Sequence, residues 1–145
     1  MAFGDDRPGF WRADLSTRAG AQTATRQGSM AAFALCVLAL LGAALLGSTA
    51  GYTTPEGLAA MGGAGVEALI GLIAGLRLRA GKGVIAGSLA VVLTAMECLI
   101  KVTTLSFGGV FLTAVITVLL VNGVRGALVL KRGGGFEDDD VAAFE

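Results

Sequence analysis

The chain has 145 residues, 54% of them hydrophobic, with a mean hydropathy of +0.77 and eleven basic residues balanced by eleven acidic ones. This is too apolar for an ordinary soluble domain and leaves room for one domain without a separate soluble catalytic unit. With no His, the usual neutral-pH acid/base and the commonest metal ligand are missing, and Cys36 and Cys98 make neither a C-x-x-C pair nor a disulfide framework.

Residues 1–28 form a polar leader in which Arg7, Arg12, Arg18 and Arg26 face Asp5, Asp6 and Asp14. Because acids nearly cancel its basic residues, the leader lacks the footprint of a nucleic-acid binder. Phe3, Phe10 and Trp11 suit the membrane interface, and a short interfacial helix is expected around 13–27. The first apolar run covers about 30–47. Its long polar leader, and the three apolar runs that follow, make it an uncleaved signal-anchor span rather than a cleaved signal peptide.

Three further spans are expected at about 58–78, 83–104 and 109–130, with Ser106-Phe107-Gly108-Gly109 turning the chain before the last. Each run approaches the ~20 residues needed to cross a hydrocarbon core, where helices satisfy their own backbone. Ten of the eleven basic residues lie in the leader, in the Arg77–Lys82 turn or at the end of the fourth run. The positive-inside rule then puts both termini in the cytoplasm. Residues 133–145 read as an acidic cytoplasmic tail, disordered, whose Phe136-Glu137-Asp138-Asp139-Asp140 could alternatively dock on a basic partner.

The expected architecture is therefore all-α: an integral membrane four-helix bundle of antiparallel hairpins with short loops. Helices two and three carry its unusual chemistry. Glu67 shares a face with Gly63, Ala64, Gly71, Ala74 and Gly75, and Gly71-x-x-x-Gly75 matches the motif for close approach of membrane helices. Glu97 shares a face with Gly83, Ala86, Gly87, Ala90, Thr94, Lys101 and Thr104. Two such small-residue faces predict a tight hairpin. Counted from the shared basic turn, the two carboxylates differ in depth by roughly 5 Å, and Lys101 can pair with Glu97 at i, i+4.

On the fourth helix Asn122 and Arg125 share a face beside Gly126, Arg125 can snorkel to the cytoplasmic interface, and Thr113 and Thr117 face elsewhere. A charge at mid-membrane costs roughly 2.5–3.5 kcal/mol on insertion scales and normally faces protein or water. The candidate polar site is thus Glu67, Glu97, Lys101, Asn122 and Arg125. Packing glycines are Gly63, Gly71, Gly75, Gly83 and Gly87.

The segment from Glu67 to Arg132 resembles the C-terminal part of small uncharacterised bacterial multi-pass inner-membrane proteins with an Asn-Gly-x-Arg-Gly motif in the last helix. Here that motif is Asn122-Gly123-Val124-Arg125-Gly126, preceded by Arg77-Leu78-Arg79 and by Glu97 with Lys101. The resemblance implies a bacterial inner-membrane protein and assigns no catalytic role to any residue. Two functions remain open on the residues alone. One is a non-catalytic accessory or structural subunit, joining copies of itself or a larger complex through small-residue faces. The other is a small proton- or cation-coupled transporter or channel using Glu67. No nucleophile-base pair, Gly-rich phosphate loop or metal-spaced cluster points to an enzyme, a cofactor or a bound metal.

Overall fold

The computed structural model describes residues 15–103 and 107–132. Expectations for the leader aromatics, for Thr104 and for the acidic tail fall outside those residues. The described residues form four helices and no strand: α1 (Arg18–Ala50), α2 (Pro55–Arg79), α3 (Val84–Thr103) and α4 (Phe107–Arg132). All four are long and apolar enough to cross a membrane.

Local chemistry sets the helix ends. Thr17 caps α1, its hydroxyl accepting from the Gly20 N–H at 3.0 Å. Thr54 does the same for α2 from Gly57 N–H at 3.1 Å, with Pro55 in the first turn, where its missing N–H costs no bond. The basic turn closes α2 with a Schellman arrangement. Gly81, at φ +69°, donates to the Leu78 carbonyl at 2.9 Å, and Lys82 donates to that of Arg77 at 3.0 Å. Phe107, Gly108 and Gly109 belong to the first turn of α4 instead of forming a loop.

The expected interfacial helix around 13–27 is not a separate element. From Arg18 those residues are the opening turns of α1, which runs unbroken for 33 residues. Small side chains make this possible. Ala21, Ala24 and Gly28 are buried against α4, whose Gly123 and Gly126 face them. A Cβ on Gly28 would stand 2.6 Å from the Gly123 Cα, and one on Gly126 would stand 2.7 Å from the Ala21 carbonyl oxygen. The Asn-Gly-x-Arg-Gly segment is thus the place where two backbones touch.

Around the bundle α1 packs most extensively on α2 and then on α4, α3 leans on α4, and α2 and α3 meet least among neighbours. This corrects the expected tight pairing of α2 with α3. The small face of α2 is turned to α1: a Cβ on Gly71 would lie 2.9 Å from the Ala32 carbonyl oxygen, and one on Gly75 2.8 Å from the Phe33 ring. The core is mostly alanine, with Leu35, Leu78, Ile116 and Leu120 filling the larger gaps. Leu76, Val92 and Leu99 are exposed on the outside of the bundle. Helices in lipid gain little from burying apolar surface against each other, so close backbone approach and interhelical hydrogen bonds carry the association.

One such bond is explicit. The buried Ser29 hydroxyl of α1 donates to the Gly75 carbonyl of α2 at 2.9 Å. Ser29→Ala is expected to cost about 1 kcal/mol, within the range of single interhelical bonds in membranes. An unfolding titration in micelles checks it; an unmoved midpoint would mean the bond contributes nothing to the fold.

Candidate functional site

Glu67 comes from α2, Glu97 and Lys101 from α3, and Thr113 from α4. All four face one cavity of about 340 Å³. Its far wall is apolar and belongs to α1, through Leu35, Leu38, Ala39 and Gly42. Every helix therefore contributes to the chamber. At ~1.5 Å per residue, Glu67 lies about 18 Å from the Arg79 end of α2, and Glu97 about 20 Å from the Val84 end of α3.

Lys101 organises the polar contacts. Its ammonium is ion-paired with Glu97 Oε1 one turn earlier on α3. It also donates to Thr113 Oγ1 at 2.9 Å, which ties α3 to α4. The Glu67 carboxyl lines the same cavity as Glu97 and Lys101. Glu97 and Lys101 keep about a third of their side-chain surface accessible (32% and 31%), so the chamber is not sealed. Thr94, fully buried behind the pair, spends its hydroxyl on the Ala90 carbonyl at 3.0 Å.

Thr113 is the residue that sequence reasoning missed. Its Oγ1 serves Lys101, while its backbone carbonyl accepts from the Thr117 hydroxyl at 2.7 Å. A signal existed: a half-buried ammonium has three donors, and an ion pair with Glu97 alone uses only part of that capacity. Asn122 and Arg125 do not join the chamber. Asn122 is buried on α4 beside Gly123, whereas Arg125 is exposed, so the face they were expected to share is divided between interior and exterior. The five anticipated packing glycines also separate by role. Gly71 and Gly75 meet α1, Gly83 abuts the Arg77–Leu78 backbone, Gly87 meets Val124 of α4 and Leu78 of α2, and Gly63 meets nothing within 4 Å.

Among the described residues no group of three or more Cys, Asp or Glu side chains could hold a metal ion, and Cys36 and Cys98 are both free thiols. The fold and the site define a class: a small all-α protein with four helices of membrane-spanning length around a carboxylate–lysine chamber. Comparison with protein-family models, with curated proteins and with solved structures gives no match for the chain.

Proposed function

We propose that this chain is a proton- or cation-coupled transporter or channel of the bacterial inner membrane, its helices antiparallel and both termini cytoplasmic. The distribution of basic residues supports the orientation, since Arg18, Arg26, Arg77, Arg79, Lys82 and Lys131 gather at one end of the bundle. The Asn122–Gly126 resemblance supports the bacterial membrane setting.

A single observation carries the transport reading: two carboxyls share one lysine. Inside the chamber Lys101 compensates one negative charge, yet both Glu67 and Glu97 line it. With both carboxyls ionised, the site carries an excess negative charge at membrane depth. The chamber is satisfied by taking up one proton or one small monovalent cation. Glu67, which has no ion-paired lysine on its own helix, is the exchanging group; Glu97 and Lys101 set the field around it. Purified protein in vesicles with an imposed pH gradient is expected to pass protons or a monovalent cation, and Glu67→Gln is expected to abolish that flux. No flux from the wild type, or equal flux from the variant, would end this reading.

A second reading, an accessory subunit assembling through small-residue faces, keeps one specific support. Gly71 and Gly75 are consumed inside the chain, but Gly62, Gly63 and Gly65 of α2 are exposed, with nothing within 4 Å of an added Cβ. A second helix could lie close against them. Native mass spectrometry that finds only monomer in mild detergent would remove this support and leave the transport reading untouched.

A further inference from the structure

A second concavity is larger than the carboxylate chamber. It is an open basin of about 1620 Å³ at the opposite end, between the start of α1, the α2–α3 turn and the end of α4. Six cations line it: Arg18 and Arg26 from α1, Arg77 and Arg79 from α2, Lys82 from the turn and Lys131 from α4. No acidic side chain among the described residues lines it.

Three contrasts give this basin the chemistry of a ligand site rather than of scattered anchors. The cations come from three stretches far apart in sequence, residues 18–26, 77–82 and 131, yet they converge on one space. Below them the wall turns apolar through Ile73, Ile85 and Leu89, and Ile85 is 87% exposed. The volume exceeds the roughly 300–1,000 Å³ of sites that enclose drug-sized ligands, and so suits a large amphiphile. We infer that the basin binds the phosphate-bearing head group of an anionic phospholipid, with an acyl chain running down over Ile73, Ile85 and Leu89. Arginine forks match phosphate oxygens in pairs, and basic pockets between helices on the cytoplasmic side are where such head groups dock. Six cations around one basin favour a head group with two phosphates over one with a single phosphate. This inference rests on the chain spanning the membrane, but not on the carboxylate chamber conducting anything.

The test uses the full chain, purified in detergent, exchanged into nanodiscs and then examined by native mass spectrometry. Nanodiscs contain phosphatidylcholine alone or with added phosphatidylglycerol or cardiolipin. A saturable lipid adduct is expected with the anionic lipids, strongest with cardiolipin and absent with phosphatidylcholine. Arg26→Gln with Arg77→Gln removes two lining cations and is expected to weaken retention about tenfold or more. Arg125→Gln with Arg132→Gln removes the same charge away from the lining, and is expected to change retention by less than about twofold.

Equal losses in the two double variants would overturn the site, because overall charge would then explain the attraction. Adducts of pyrophosphate without lipid retention would overturn the choice of a lipid. Retention only after removal of residues 133–145 would overturn the site for the intact chain, with the acidic segment as its occupant. Flux measured on the same double variant separates the two proposals, since the basin could fail while Glu67-dependent transport persists.

Discussion

Replacing Lys101 with Met is expected to destabilise the fold by about 3 kcal/mol, near the lower end of the range for removing one partner from a buried ion pair. The Met side chain keeps most of the stem volume, so packing changes little. What disappears is the ammonium that touches Glu97 and Thr113. Glu97 is then left charged beside Glu67, facing an apolar wall of α1. The lower end of the range applies because about a third of each partner's side chain remains accessible. Adding Glu97→Gln should restore most of the loss, since a neutral pair costs much less than an orphaned charge. The measurement is a denaturant titration of the wild type, both single variants and the double variant. If Lys101→Met costs under about 1 kcal/mol, the pair behaves as a surface ion pair and the chamber is wetter than its lining implies.

Gly28→Val should be equally damaging by a different mechanism. A Cβ at this position would lie 2.6 Å from the Gly123 Cα and 3.2 Å from the Leu119 carbonyl oxygen, which are backbone atoms that cannot turn aside. The helices would have to separate, and Gly126 would lose its contact with the Ala21 carbonyl as they did. Overpacking typically costs 1–3 kcal/mol, and a clash of backbone against backbone belongs at about 3 kcal/mol. Gly42→Val is the control. It sits on the same helix with nothing within 4 Å of the added Cβ, and its effect should stay within about 0.5 kcal/mol. Equal effects at Gly28 and Gly42 would mean that helix propensity, not the crossing of α1 and α4, dominates.

How legible was this molecule in its sequence? Long apolar runs revealed the four helices, because an uninterrupted run of that length admits few other structures. The start of α1 was not legible for the opposite reason. Residues 18–29 are too polar to look like a span and too small to show an amphipathic stripe, and Ala21, Ala24 and Gly28 matter only because Gly123 and Gly126 lie opposite. Partner choice was hidden in the same way. Gly71 and Gly75 permit a close neighbour without saying which, and α1 filled the place expected for α3.

The chamber was legible in part. Glu67, Glu97 and Lys101 stood out because charges in apolar runs are rare, and their helical spacing brought them to one side. Thr113 could not be separated from Thr117 by sequence, since either hydroxyl can bond back to its own helix. Only the fourth helix's rotation aims one of them at Lys101. Asn122 and Arg125 misled because residues three apart lie close on a helix surface, yet the edge of the buried face can still fall between them.

The helices differ in reach, and in a bilayer this has a consequence for the surrounding lipid. At ~1.5 Å per residue the 33 residues of α1 extend about 50 Å, whereas the 20 of α3 extend about 30 Å, no more than a typical hydrocarbon core. The long helix can lean; the short one has no slack. In a thicker bilayer α3 would have to stand upright or thin the surrounding lipid, and Lys101, in its final turn, would be the first charge drawn beneath the interface. The mismatch between one short rod and its membrane would then govern how much water the chamber holds.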